Sequence, residues 1–123
     1  MSCLFDSLSV YFQNIESNVL RNKICDYLQT NPKILDDIDT SSVIQWEQNT
    51  NISLDDYVKR MRKSSTWGGS IEIKCFCDMY NYDVVVIFNN ETIEHKSKGI
   101  SKYVIYLKYN GSHYEPFAIQ KKK

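Results

Sequence analysis

The sequence predicts an α/β protein of the α+β kind, in which a small mixed sheet is flanked by helices. Helical periodicity dominates the first two-thirds of the chain, and strand-like runs follow at 83–88 and 103–109. A third run, at 113–119, is joined to the second through Asn110-Gly111, which is a strong tight-turn signal. Helices first and paired strands afterwards indicate a sheet covered by helices on at least one face.

Apolar residues at three- and four-residue spacing define the predicted helices. The clearest has Leu20, Ile24 and Leu28 on one face and ends before Asn31-Pro32. The predicted helices span residues 3–12, 17–30, 54–63 and 71–80. The intervening segment 33–52 is polar, and there we predict a short helix around Ile34–Ile38 followed by a loop through Trp46.

The strand-like runs differ in their expected positions within the sheet. DVVVIF at 83–88 is continuous and β-branched, which is typical of a buried central strand, and Asn89-Asn90 predicts a turn after it. Pro116 cannot donate a ladder hydrogen bond, so the run at 113–119 is predicted to lie at a sheet edge or to have the missing N–H of Pro116 on an unpaired side.

Length and charge limit the classes of function. The chain has 123 residues, enough for one domain, which we place at 1–119 with a basic tail at 120–123. Fifteen basic and fifteen acidic residues balance, which argues against the basic face of a nucleic-acid-binding protein. The sequence contains no run of about 18 apolar residues, so we expect no membrane partner. We also find no signal-peptide pattern. We expect a cytoplasmic monomer without a cofactor, in the host cytoplasm if the source is a virus or an intracellular bacterium.

The four cysteines are expected to be free thiols, as is usual in a reducing compartment. Cys25 falls on the apolar side of its helix and is predicted to be a core residue. A metal site using Cys75, Cys77 and His95 is a possible alternative, but two helical residues two positions apart point about 200° apart and cannot share one ion. We therefore expect no metal site, and we expect His95, in a charged stretch, to lie on the surface.

Cys3 stands at the start of the first predicted helix, where backbone N–H groups and the helix dipole stabilise a thiolate over a thiol. It is either a nucleophile or a small buried hydrophobic residue. His113 begins the last strand and is a candidate general base, and Glu115, two residues later, falls on the same face and could orient the imidazole. Taken singly, His113 and Glu115 could equally be an ordinary half-exposed histidine and an exposed strand carboxylate.

Five segments, in this order, resemble the ovarian-tumour (OTU) family of deubiquitinating cysteine proteases. They are CLFDSLS at 3–9, LRNKICDYL at 20–28, DDYVKRM at 55–61, WGGSIEIKCFCDMYN at 67–81 and YNGSHYEPF at 109–117. In that family a D-G-x-C-L-F segment carries the nucleophile, W-G-G-x-x-E opens a helix, and a histidine followed two residues later by an acid or amide closes the triad.

The resemblance implies a papain-like cysteine protease fold and hydrolysis of the bond after the C-terminal glycine of ubiquitin or a ubiquitin-like modifier. It implies Cys3 as nucleophile, His113 as general base and Glu115 as the residue that orients the histidine, with ubiquitin conjugates as partners. It also matches Trp67-Gly68-Gly69 to a structural motif, and we expect Trp67 and Glu72 to be structural rather than catalytic.

The sequence departs from the family pattern at two places. Glu115 is one methylene longer than the Asp or Asn that is common there. Met1-Ser2 stands where the family has the Asp-Gly loop, which resembles an oxyanion hole, so the chain is expected to be truncated, mis-started or impaired in catalysis. Two hypotheses follow: a cysteine isopeptidase, or a catalytically impaired ubiquitin-binding module with the same fold.

Overall fold

A computed structural model describes residues 3–12, 15–48 and 51–122 of the chain. Its helices are α1 (Cys3–Val10), α2 (Ser17–Gln29), α3 (Thr40–Gln48), α4 (Leu54–Met61) and α5 (Ser70–Tyr80). Its strands are β1 (Lys33–Leu35), β2 (Ile38–Asp39), β3 (Tyr82–Phe88), β4 (Glu91–His95), β5 (Tyr103–Tyr109) and β6 (Tyr114–Lys121). The predicted α+β architecture is confirmed. In the described part of the chain, no helix combines the length and apolar character needed to cross a bilayer.

The main sheet has the strand order β4-β3-β5-β6. β3 and β5 are parallel, whereas the outer pairs are antiparallel, so the sheet is mixed as predicted. β6 is an edge strand, which confirms the position inferred from Pro116. The register shifts beside Pro116, where Leu107 pairs with Pro116 and Tyr106 pairs with Ala118, so Phe117 is the extra residue of a bulge.

One face of the sheet is buried beneath the helices. Val84 and Val86 of β3 and Ile105 and Leu107 of β5 point to this face and are almost fully buried. α5 packs against β3, and α1 packs against β6 and α2. The core is therefore a two-layer arrangement in which α1 lies close to the edge strand.

The segment 33–52 was predicted incorrectly. In place of a short helix around Ile34–Ile38, β1 and β2 form a hairpin whose turn contains Asp36 at a φ of 52°. In place of a loop through Trp46, α3 forms, and this helix leaves Trp46 64% exposed. Thr40 begins α3, and its N–H and hydroxyl both donate to Pro32 O, on the residue that precedes the β1–β2 hairpin. These two contacts define the start of a helix whose sequence periodicity is weak.

β4 was not predicted from the sequence. The predicted turn at Asn89-Asn90 is present with φ values of 51° and 64°, and it leads directly into a strand that pairs with β3. β4 is charged and mostly exposed, so it lacks the apolar pattern from which a strand is predicted. His95 ends this strand and is half-buried, which corrects the expected surface position.

The last strand extends further than predicted. β6 continues to Lys121, so Gln120 and Lys121, which were assigned to a basic tail, belong to the sheet. Lys122 donates its N–H to Lys102 O, and its ammonium group pairs with the buried Asp83. Burial disfavours the charged form of Asp83, but hydrogen bonds from Lys122 and Ser97 outweigh this effect, so its pKa is lowered.

A buried arginine connects three helices. Arg21 of α2 is 1% exposed, and its guanidinium lies 4.3 Å from the centre of the Phe5 ring of α1. The same group donates to Met61 O at the end of α4, at 2.7 Å. Because a guanidinium buried in this way must be hydrogen-bonded, Arg21 fixes the ends of α1 and α4 relative to α2.

Gly68 makes a close approach to α1. A Cβ atom at this position would lie 2.7 Å from Leu4 Cδ2 and 3.0 Å from two ring atoms of Phe5. Both side chains are fully buried, so neither can move away at low cost. At Gly69, a Cβ atom would meet nothing within 4 Å.

We therefore expect Gly68→Ser to lower the free energy of unfolding by about 1–3 kcal/mol through overpacking. Gly69→Ser is the matched control, since it places the same side chain in open space at a position preceding α5 where serine is preferred to glycine. Urea denaturation of the two variants measures the difference. Equal stability of the two variants would contradict the packing account.

Candidate active site

Cys3 is the first residue of α1 and is half-buried, whereas the other three cysteines are fully buried. Burial raises the pKa of the Cys25 thiol to about 11 and that of the Cys77 thiol to about 12, and it also raises the pKa of Cys75. This confirms Cys25 as a core residue. All four thiols are free, so Cys3 is the one thiol of the chain with access to solvent and without a core role.

The backbone of His113 is held by the side chain of Asn110. The Asn110 amide oxygen accepts from the N–H of His113 at 2.8 Å and from the N–H of Ser112 at 3.0 Å. Gly111 between them has a φ of +99°, which glycine tolerates best. The predicted tight turn is confirmed, and it delivers His113 to the start of β6 with a fixed main-chain position.

His113 and Glu115 line one depression of about 420 Å³, together with Asn89, Asn90 and Lys108 among others. His113 and Glu115 therefore border the same depression, which Cys3 does not line. Within the described residues, the Cys3 thiol, the His113 imidazole and the Glu115 carboxylate make no hydrogen bond to one another. The assignment of the three residues as a catalytic triad therefore stays a prediction.

Tyr114 links the start of β6 to the interior near α1. Its ring stacks on that of Tyr109, with 4.4 Å between the centroids. Burial raises the pKa of Tyr114 to about 12, and the negative forms of Tyr109, Glu72 and Cys3 add to the effect. Tyr114 thus lies near Cys3 on the inner face of β6, while Glu115 occupies the outer face.

The segment Trp67–Gly69 borders the first turn of α1 through the contact of Gly68 with Leu4 and Phe5. Trp67 and Glu72 were both expected to be structural. Glu72 is 1% exposed, in agreement with that expectation, but Trp67 is 54% exposed and presents its indole to solvent. Trp67 directly precedes Gly68, which contacts α1, and its exposed indole is available for contact with another molecule.

The Glu72 carboxylate accepts two hydrogen bonds in the interior. Tyr57 Oη donates to Oε2 at 2.6 Å, and Gly69 N–H donates to Oε1 at 2.7 Å. Burial raises the pKa of Glu72 to about 7, although both hydrogen bonds favour the charged form and act in the opposite direction. This buried carboxylate therefore changes its charge close to neutral pH.

A second cavity, of about 430 Å³, lies beside the start of α5 and is lined by none of Cys3, His113 and Glu115. It is largely apolar and is lined by Ile34, Val43 and Ile71, with His95 at its polar side. Burial lowers the pKa of His95. Cys77 Sγ donates to the main-chain oxygen of His95 at 3.4 Å, and no cluster of three or more metal-ligating side chains is found within residues 3–12, 15–48 and 51–122.

Two features of this region were not predicted from the sequence. The bridge from Tyr57 through Glu72 to Gly69 was signalled only by the Gly-x-x-Glu spacing at the start of α5, where a carboxylate can reach back to the N-cap. The Asn110 bonds to Ser112 and His113 are an Asx turn, which the Asn-Gly pair suggested without specifying its partners.

We expect Asn110→Ala to speed amide hydrogen exchange at Ser112 and His113 about fivefold to tenfold. The reason is that each amide loses an acceptor worth about 1 kcal/mol. Asn110→Asp keeps an acceptor oxygen in place and should leave both rates near those of the unmodified chain. Unchanged exchange in Asn110→Ala would show that the side chain does not hold His113.

The ionisation of Glu72 predicts a pH-dependent stability. Its folded-state pKa of about 7 exceeds the ordinary value of 4.5, so between these values the folded protein holds a proton that the unfolded chain has released. The contribution is complete below pH 4.5 and is lost as the pH rises through 7. From pH 5 to pH 8, the free energy of unfolding should fall by about 2 kcal/mol relative to Glu72→Gln, as measured by urea denaturation. A constant difference between the two proteins would contradict this sign.

The comparisons with known proteins agree on one family. The model of OTU-like cysteine proteases matches residues 2–116. A search of curated protein sequences finds no match. Among solved structures, an OTU domain in complex with ubiquitin superposes with a TM-score of 0.75 at 21% identity over 99% of this chain. This chain spans 66% of the length of that domain.

Two further structures have similar folds. The viral OTU domain protease from Dera Ghazi Khan virus has a TM-score of 0.67 at 22% identity, with 99% of this chain and 76% of that chain covered. An OTU deubiquitinase from Wolbachia pipientis, bound to ubiquitin, has a TM-score of 0.64 at 18% identity, with 98% and 90% covered. The chain belongs to the OTU-like cysteine protease family.

Proposed function

We propose that the protein is a cysteine isopeptidase that hydrolyses the bond after the C-terminal glycine of ubiquitin or a ubiquitin-like modifier. The observation that carries this proposal is that Cys3, whose CLF segment resembles the nucleophile segment of the family, is the half-buried first residue of α1 while every other thiol is buried. The ubiquitin bound in two of the similar structures supports the substrate class.

The proposed reaction proceeds through a thioester. His113 takes the proton of the Cys3 thiol, and the thiolate sulfur attacks the carbonyl carbon of the terminal glycine. The tetrahedral intermediate collapses as His113 gives the proton to the departing lysine amine. Water then attacks the thioester, again with His113 as base, and releases the modifier with a free carboxylate and Cys3 as a thiol.

Glu115 is proposed to orient the imidazole, so that one ring nitrogen faces the thiol. Both side chains line the same depression at the edge strand, which supports this role. Asn110 holds the main chain of His113, and the longer carboxylate of Glu115 would reach the ring through a different rotamer or a small shift. Main-chain N–H groups near Cys3 would stabilise the oxyanion, and Met1 and Ser2, which occupy the position of the family loop, lie outside the described residues.

A ubiquitin-binding module without turnover is the second candidate. The observation that favours it is the lack of a hydrogen bond to the Cys3 thiol or the His113 imidazole within the described part of the chain. The two candidates differ in a measurable way, because only the isopeptidase depends on the Cys3 sulfur.

We expect hydrolysis of a fluorogenic ubiquitin C-terminal amide by the unmodified chain and its loss, by at least about 10³-fold in kcat, in Cys3→Ala and in His113→Gln. Glu115→Gln should retain part of the activity, since the amide can still accept a hydrogen bond from the imidazole. Ser9→Ala, on the same helix and outside the site, is the control.

Binding of ubiquitin with equal affinity by the unmodified chain and Cys3→Ala, combined with no turnover by either, would instead establish the binding module. Absence of both binding and turnover would exclude ubiquitin as the substrate.

A form in which Met-Asp-Gly precedes Ser2 tests the oxyanion loop. If backbone donors in this loop hold the oxyanion, the added residues should raise kcat by about 10²-fold or more with a smaller change in KM. A form carrying Met-Ala-Ala at the same place controls for added length. Equal kcat in the two extended forms would show that the Asp-Gly pair makes no specific contribution.

A further inference from the structure

Glu72 connects α4 to the glycine segment that precedes α5. One carboxylate oxygen accepts from Tyr57 of α4 and the other accepts from the main chain of Gly69. Both partners are neutral donors, and the side chain is 1% exposed. A carboxylate buried in this way is costly unless its hydrogen bonds are satisfied, so the two contacts hold Gly69 at a fixed distance from α4.

The position of Gly69 sets that of its neighbours Trp67 and Gly68. Gly68 lies directly against Leu4 and Phe5, the two residues that follow Cys3. A displacement of Gly69 would therefore move the adjacent Gly68, whose contact with α1 has no free space. Trp67, on the other side of Gly68, is exposed beside this contact.

The surroundings of Glu72 contain one buried cation and several acidic groups. The titratable and charged groups that face it are Arg21 and Cys25 on α2, Glu47 on α3, Tyr57 on α4, Cys75 on α5 and Tyr114 on β6. Burial raises the pKa of Tyr57 and that of Cys75, so both stay neutral at physiological pH. Burial raises the pKa of Glu72 to about 7, and it also raises the pKa of Glu47.

We propose that Glu72 and Tyr57 are positioning residues, which anchor the segment Trp67–Gly69 against the first turn of α1 and thereby align Cys3 for attack. This inference rests on the proposed function for its catalytic consequence. The anchoring itself is a property of the fold and can be measured without any substrate.

The emission of Trp67 reports the anchoring. In a Trp46→Phe background, which removes the other tryptophan at an exposed position, we expect a transition in Trp67 emission centred near pH 7, as Glu72 ionises. Glu72→Gln should abolish it, because the amide fills the same space and does not titrate. His95→Gln and His113→Gln are controls that should leave it unchanged.

The variant Tyr57→Phe provides a second, independent test of the anchoring. It removes the hydroxyl that favours the charged carboxylate, so the transition should move to higher pH. An emission that does not change between pH 5 and pH 9, or a transition that persists in Glu72→Gln, would overturn the anchoring of this segment by Glu72.

Hydrolysis tests the link to Cys3. We expect Glu72→Ala to lower kcat about tenfold or more with a smaller effect on KM, since misplacement of a reacting group acts on the chemical step. Glu72→Gln should restore kcat to within about twofold of the unmodified chain. Ile105→Val, which removes one buried methyl from β5, controls for general loss of stability.

Equal kcat in Glu72→Ala and Ile105→Val would overturn the positioning role. If the unmodified chain hydrolyses no ubiquitin substrate, the proposed function is contradicted, and so is the proposed role of Glu72 in aligning Cys3 for catalysis. The emission transition would then still decide whether Glu72 anchors the segment, so the two failures are distinguishable.

Discussion

The close contact of Gly68 with Leu4 and Phe5 is the constraint on which the rest of the structure depends. It brings a segment that precedes α5 against the first turn of α1, although 60 residues separate the two in the sequence. Leu4 and Phe5 are fully buried beneath it, and the residue before them, Cys3, is left at the edge of the core. The same packing that stabilises α1 therefore places the candidate nucleophile at the surface.

Two buried charged side chains, Arg21 and Glu72, make contacts with the two segments that meet here. Arg21 lies over the Phe5 ring and reaches the end of α4, and Glu72 reaches α4 through Tyr57 and the glycine segment through Gly69. Apolar side chains could fill the same volume, but they could not fix a main-chain N–H or carbonyl in one direction. A site that needs a thiol in one orientation gains from such directional contacts, since reaction rates depend steeply on alignment.

The sequence predicted the parts of the fold whose residues carry a strong local pattern. The apolar spacing of α2, the continuous run of β3 and the Asn-Gly turn before His113 all reflect local rules, and all three are confirmed. The hairpin at Lys33–Asp39 and the charged strand β4 were missed because short or mostly exposed strands lack the apolar pattern from which a strand is predicted. His95 was misplaced for the same reason.

Some features of the candidate site were predicted from the sequence, and others were not. Cys3, His113 and Glu115 were predicted from residue type and resemblance. His113 and Glu115 line one depression, and the catalytic roles of the three residues stay predictions. The bridge from Tyr57 to Gly69 could not be predicted, because the hydroxyl of Tyr57 and the carboxylate of Glu72 meet only after α4 and α5 have packed. An exposed Trp67 was likewise unexpected, since tryptophan is usually assigned to the core.

The most direct measurement is the reaction of the chain with ubiquitin that carries a C-terminal propargylamide, followed by mass mapping of the adduct. The account predicts one covalent adduct, on Cys3, which is lost in Cys3→Ala and retained in Cys25→Ala. No adduct in either the unmodified chain or the Asp-Gly form, or an adduct on a buried thiol, would contradict the assignment of Cys3 as the nucleophile.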